Sequence, residues 1–273
     1  MTKFPLCAHL GYLFTEHALR DRFAAAARCG FRFVEHPAPY ALAPDEASDL
    51  CKLNGLHMVQ IATPMGDPGE KGLAAMVGRE ADFRASVDEA IAYALVLGTR
   101  YIHPMSGVPT QGGSDAESWD VYIRNVAYSC DLAARAGLTV NIEPIGAGTL
   151  AGYFMNHPDK ATQAIAAVAR DNLFMTFDAF HAAQSDVDLA QFTREWGRAF
   201  RHVQIADDPG RHEPGSGTID FPAFFEALAT VGYAGVIGLE YVPAAGTAEG
   251  LAWADNYDRI TPLEPTIDRE TRT

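Results

Sequence analysis

Positive charge, cysteine and long apolar runs are all scarce in this chain, and each shortage removes a class of function. Lys and Arg number 21 against 35 Asp and Glu, a formal net charge of −14. A phosphate backbone would meet repulsion over most of such a surface, so nucleic acid is excluded as a partner. The four cysteines, Cys7, Cys29, Cys51 and Cys130, include no C-x-x-C pair, and each falls in an apolar run where a free thiol acts as a small core residue. That usage fits a reduced, cytoplasmic setting. The segment "MTKFPLCAHLGYLF" lacks a basic stretch followed by a long apolar one, and no window approaches the roughly eighteen apolar residues of a membrane span. Neither export nor membrane insertion is expected. No Pro/Ser-rich linker or charge block divides the 273 residues, so one domain over 1–260 is expected, with 261–273 as a C-terminal tail.

What is present is alternation. With 48% hydrophobic and 21% charged residues, the chain has the balance of a globular protein with a sizeable core. Short apolar runs that read as strands cover 5–10, 31–36, 57–62, 100–105, 138–143, 173–178, 201–206 and 235–240. Between them lie stretches with apolar residues three and four apart, such as "EHALRDRFAAAARCG" and "READFRASVDEAIAYALVLG". Gly30, Gly55, Gly98, Gly137 and Gly232 repeat a helix-stop signal just before the next strand. Strands alternating with crossover helices imply a parallel sheet, and eight such units are the count of a single (β/α)8 TIM barrel, an α/β fold. The competing open doubly wound sheet would carry G-x-G-x-x-G after its first strand, which this chain does not.

A barrel gathers its chemistry at the C-terminal ends of its strands. Glu143, Asp178, Gln204 and Glu240 end the last four expected strands, separated by 35, 26 and 36 positions, each close to the length of one βαβ unit. Read singly, they are ordinary polar residues facing water. Read together, three carboxylates and an amide in one mouth would raise one another's pKa unless a cation holds them. Oxygen donors without cysteine select a hard divalent ion, Mg²⁺ or Mn²⁺. Such an ion polarises the carbonyl of a small sugar or hydroxy-keto acid. Two carboxylates, Glu143 and Glu240, can then move a proton between neighbouring carbons through an enediolate.

The stretches "VNIEPI", "FDAFHAAQ", "HVQIADDPGRHEPGSGTIDFPAFF" and "GLEYVPAAGTAEGLAW" resemble the hydroxypyruvate isomerase family, within the xylose-isomerase-like barrel superfamily. "LFTEH" at 13–17, "GREADFR" at 78–84 and "IHPMSG" at 102–107 extend the resemblance over almost the whole chain to about Asp255. It implies that Glu143, Asp178, Gln204 and Glu240 bind the metal and that Glu143 and Glu240 also serve as proton donor and acceptor. It also implies a substrate contact for His181, three residues after Asp178; on sequence alone a packed supporting histidine is the equal reading.

The loop "DDPGRHEPG" after Gln204 would carry Arg211 and His212 over the ligand, Arg211 gripping a carboxylate with its planar fork. The bland alternative is an Arg211–Glu213 surface ion pair, which contributes little. His103 reaches the pocket or is a satisfied core residue, and Glu35 takes a hydrogen-bonded rim role. Trp119, Trp196 and Trp253 read as core or interface, and the apolar helices leave a homo-oligomer open. "GLAAMVGRE" reads as a loop leading into a helix, a lid or a dimer contact.

Three departures from the family lie near the mouth. "IGAGTLAGYF" replaces a polar stretch with an Arg-Asp pair, Ala62-Thr63-Pro64 stands where the family has Asn-Thr-Pro, and "VEHPAPY" replaces a more apolar version. The expected activity is isomerisation of a small hydroxy-keto acid of the hydroxypyruvate/tartronate semialdehyde type. A 2-oxo-tetronate isomerase or a ketose 3-epimerase is the nearest alternative, the epimerase preferring a histidine where Gln204 stands. From other classes, a non-catalytic sugar-acid binding barrel keeps the pocket without turnover. A retaining glycosidase needs two carboxyls about 5 Å apart and no metal, leaving Asp178 and Gln204 unexplained.

Overall fold

Every expected strand forms in the computed structural model, which describes residues 3–109, 114–258, 260, 261 and 263. The strands are β1 (Leu6–His9), β2 (Phe33–Glu35), β3 (His57–Met58), β4 (Gln60–Ala62), β5 (Tyr101–His103), β6 (Thr139–Ile142), β7 (Leu173–Asp178), β8 (Phe200–Ile205) and β9 (Ile237–Leu239). All neighbouring pairs are parallel. The count is nine rather than eight because the expected strand over 57–62 divides at Val59. Its first half pairs with β2 and its second with β5. The order β3-β2-β1-β9-β8-β7-β6-β5-β4 therefore starts and ends on one stretch of chain, and the barrel closes through it.

The helices follow the apolar periodicity: α1 (Leu19–Arg28), α2 (Pro44–Asn54), α3 (Glu80–Leu97), α4 (Asp115–Arg135), α5 (Pro158–Val168), α6 (Ala179–Ala183), α7 (Leu189–Trp196), α8 (Phe221–Thr230) and α9 (Thr247–Gly250). Their ends have local causes. Ser114 and Glu117 form a reciprocal capping box at α4, and Asp220 caps α8 ahead of Pro222. Gly55 and Gly98 end α2 and α3 in the left-handed conformation that a Cβ disfavours. All four cysteines are free, Cys29 half-buried and the others buried. Trp253 is buried with its indole N–H donating to Tyr241, Trp119 packs on the core, and Trp196 is 38% exposed. Among the described residues no helix is long and apolar enough to cross a membrane. Phe4 pairs with Ile260; of the expected tail, 262 and 264–273 lie outside the described residues.

Two cores result. Between strands and helices the packing is apolar, with Phe177 stacked on Phe200 at 4.5 Å and Phe23, Phe83 and Phe224 fully buried. Inside the barrel, where branched aliphatics usually dominate, Gln60, Asn141, Thr176, His202, Glu35 and Gln204 are all buried. Asn141 and Thr176 donate to the Gln60 carbonyl oxygen at 2.9 and 2.8 Å. Gly238 makes room for this polar layer, since a Cβ there would lie 2.2 Å from Glu35 Oε1 and 3.0 Å from His202 Nε2. Gly238→Ala is expected to destabilise the protein by about 1–3 kcal/mol, the usual cost of overpacking a full interior. Urea unfolding checks this, and an unchanged midpoint would mean that the layer yields freely.

Candidate active site

The strand register sets the site. Asp178 pairs with Gln204, and Gln204 with Gly238; Glu240 stands two residues beyond Gly238, one pleat higher on the same face. Glu143 follows β6 directly. With His9 and Glu35, which pair across β1 and β2, Glu143, Gln204 and Glu240 line a pocket of about 270 Å³ at the C-terminal mouth, while Asp178 is not among its lining residues. That volume is near the lower limit for small-molecule sites.

Asp178 does two tasks. Its Oδ1 accepts from the Phe180 and His181 amides at 2.7 and 3.4 Å, capping α6. Its Oδ2 is buried with no hydrogen-bond partner, 3.6 Å from His181 Nε2 and 3.8 Å from Arg211 Nη2. The cap fixes the carboxylate so that one oxygen is turned toward His181 and Arg211, which line the pocket. Glu143 Oε2 lies 3.3 Å from His103 Nδ1, which places His103 against a catalytic candidate. Glu143, Asp178 and His181 bring one donor atom each within 4.8 Å of one another. Gln204 Oε1 is also buried without a partner. Two orphaned buried oxygens beside a carboxylate-histidine group suit a divalent ion, because uncompensated buried acceptors are otherwise costly.

Arg211 is one of two cations that line the pocket, the other being Lys71. Arg211 adopts φ 57° in a loop organised by the buried Asp207 carboxylate, which accepts from the amides of Asp208, Gly215 and Ile219. Its guanidinium lies 4.6 Å from the Tyr12 ring and 5.0 Å from that of Phe180. Nη2 donates to Glu240 Oε1 at 2.7 Å and Nε to the Glu240 carbonyl at 3.1 Å. The Arg211–Glu213 loop pair does not form: Glu213 instead accepts from the Ala244 amide, because the left-handed turn at Arg211 sends its side chain inward. His212 does not line the pocket, and its Nδ1 meets the Val242 carbonyl at 2.8 Å.

The two glutamates sit in opposed fields. Burial raises the Glu143 carboxyl, but His103, His181 and Arg211 outweigh it and hold it below its ordinary value. Burial pushes Glu240 well above the carboxylate range; Glu143, Asp178 and Glu35 add to this, and together they overcome Arg211. Burial likewise lowers His9 and His181 and raises Tyr12 to about 12.

Sequence reasoning missed His9, Tyr12, Gln60, Lys71 and His202. His9 ends β1 and had a strand-end signal. Lys71 had none, since it reaches the pocket from the loop between β4 and α3. That loop is bonded into a wall: the Leu73 and Ala74 amides donate to the Met105 carbonyl, and Gly72 packs where a Cβ would lie 2.3 Å from it. The "GLAAMVGRE" stretch is part of this wall, with Leu73 to Met76 buried.

A closed parallel barrel is the architecture that the xylose isomerase-like TIM barrel family names, and that family's model matches residues 23–257. The chain belongs to this family. It is 41% identical over 252 residues to a 2-oxo-tetronate isomerase of Cupriavidus necator, covering 92% of this chain and 97% of that one. It is 33% identical over 252 residues to the hydroxypyruvate isomerase of Escherichia coli, covering 92% and 98%. A crystal structure from Brucella melitensis described as AP endonuclease, family 2 superposes with a TM-score of 0.90 at 39% identity, covering 94% and 99%. The protein is an enzyme of the isomerase class within the hydroxypyruvate isomerase family.

Proposed function

We propose that the protein isomerises a small hydroxy-keto acid, with hydroxypyruvate to tartronate semialdehyde as the type reaction. The observation that carries this is the pairing of Glu143 and Glu240 across one pocket, each held by a different partner, His103 and Arg211. Glu143, Asp178, Gln204 and Glu240, with His181 beside them, would hold a divalent Mg²⁺ or Mn²⁺. When bound, that ion supplies Lewis-acid polarisation of the substrate's carbonyl and hydroxyl oxygens. One glutamate takes the proton from the hydroxymethyl carbon and the other returns one to the neighbouring carbon, while the hydroxyl proton passes from the terminal oxygen to the former carbonyl oxygen, so the carbonyl moves along the chain with no net change in atoms. His103 orients Glu143, and the Arg211 fork orients Glu240. The buried walls exclude water from the reacting carbons.

The substrate's carboxylate needs positive charge in an otherwise acidic mouth. Arg211 spends two donor groups on Glu240 and offers Nη1 to the ligand. Lys71, exposed at the rim, forms no ion pair with the described residues. Both meet the acid end. Lys71→Met is expected to raise KM about five- to tenfold with kcat little changed, the size of one charge-assisted contact partly screened by water. Steady-state kinetics check this, and an unaltered KM would place the carboxylate elsewhere.

A second substrate, a 2-oxo-tetronate, is favoured by the higher identity to the Cupriavidus isomerase than to the Escherichia one, 41% against 33%. The uncharged Ala62, Thr149 and Leu150 at the pocket wall suit a longer chain as well. An endonuclease reading meets a net charge of −14 and, among the described residues, one three-member histidine-carboxylate group. The test is conversion of hydroxypyruvate, 2-oxo-tetronates and neutral ketoses with and without chelator. The proposal expects turnover of a carboxylate-bearing substrate, lost with chelator and restored by Mg²⁺ or Mn²⁺. Turnover indifferent to chelator, or confined to neutral sugars, would contradict it.

A further inference from the structure

Gln204 has an amide whose two ends differ in everything that matters to a cation, and the polar layer beneath it decides which end faces the pocket. Glu35 Oε2 accepts from His202 Nε2 at 2.7 Å and from Gln204 Nε2 at 3.2 Å. A carboxylate only accepts, so the Gln204 nitrogen must turn toward Glu35. The Gln204 carbonyl oxygen is left buried with no partner, in the wall of the pocket that also holds Glu143 and His181. Were the amide reversed, its oxygen would press on Glu35 and its N–H groups would meet the incoming cation.

We propose that Glu35 is a positioning residue for the metal site: held by His202, it fixes the Gln204 side chain so that the carbonyl oxygen, not the amide nitrogen, faces the divalent ion. This rests on the metal reading of the site. Three features separate it from a purely structural role. Glu35 Oε1, His202 Nδ1 and Gln204 Oε1 all lack hydrogen-bond partners, whereas a polar cluster kept for stability satisfies its members. The barrel interior also gives up a side chain at Gly238 to seat Glu35, since any Cβ there would collide with Glu35, Gln204 and His202 at once. Finally, His202 does not line the pocket, and among the candidate metal-holding residues the one that Glu35 hydrogen-bonds is Gln204.

The test compares Mn²⁺ affinity, read by electron paramagnetic resonance, in wild type, Glu35→Leu and Glu35→Gln. Loss of an outer partner of a metal ligand typically costs about 10- to 100-fold in affinity, and Glu35→Leu, which leaves the Gln204 amide nitrogen with no acceptor, is expected to fall in that range. In Glu35→Gln one amide oxygen can still accept from both His202 and Gln204, as Oε2 does now, so affinity is expected to stay within about threefold of wild type. Wild-type affinity in a folded Glu35→Leu, or a Glu35→Gln as weak as Glu35→Leu, would overturn the inference while leaving the metal reading intact. Absence of Mn²⁺ binding in wild type would overturn both. If Glu35→Leu fails to fold, Glu35→Asp, which keeps the buried charge but draws the acceptor back from Gln204 by one methylene, is read in its place, with the same loss expected and wild-type affinity overturning the inference.

Discussion

Glu240→Gln is expected to lower kcat by about 10²- to 10⁴-fold, the range that one positioned proton-transfer group supplies, with the thermal midpoint close to wild type. The substitution is isosteric, and the amide oxygen still accepts from Arg211 Nη2, which now lies 2.7 Å from Glu240 Oε1. The Arg211 fork, the Asp207-bonded loop and the aromatic walls at Tyr12 and Phe180 therefore stay in place. What is lost is the capacity to take or return a proton. A purified Glu240→Gln protein with activity within tenfold of wild type would remove Glu240 from the chemistry. Equal losses of activity and folding would instead mean that Glu240 chiefly neutralises Arg211.

Asp178→Asn is expected to weaken Mn²⁺ binding by about 100-fold or more, beyond the upper end of what loss of an outer partner costs, and to abolish turnover. Asparagine can keep the cap, because its oxygen accepts from the Phe180 amide as Oδ1 does now at 2.7 Å. Its nitrogen then replaces Oδ2, so a donor points where a cation needs an acceptor. Asp178→Ala would lose both and should cost about 1 kcal/mol of stability in addition. The pair of variants thus separates the two tasks of one side chain. Metal affinity retained in Asp178→Asn would show that Glu143 and His181 suffice without it.

The barrel was legible because parallel strands between helices are apolar on both faces and stand out as short runs bounded by glycine. Splitting at Val59 was not legible, because the residue sequence of a strand does not say where it changes neighbours. The four strand-end residues were visible at their spacing, since each closes an apolar run with a polar side chain. The partners that give them roles came from elsewhere: His103 on Glu143, Arg211 on Glu240, Glu35 on Gln204. Those pairings span 40, 29 and 169 positions and depend on closure of the ring. Arg211 faces inward and His212 outward because of one left-handed residue in a loop, which composition cannot announce. The polar interior ran against expectation most clearly: His202 and Gln60 sit in strands that read as ordinary, and only their contacts show that they form a supporting layer.

The central claim is that Glu143 and Glu240 pass a proton between adjacent carbons of a keto acid. Its most direct test is isomerisation in deuterated water, followed by NMR of the carbon next to the carbonyl. The account predicts deuterium at that carbon with wild type, lost with chelator and with Glu240→Gln. Rapid turnover of the same substrate without solvent deuterium, and with the hydrogen carried intact from one carbon to the next, would contradict it and point to hydride transfer.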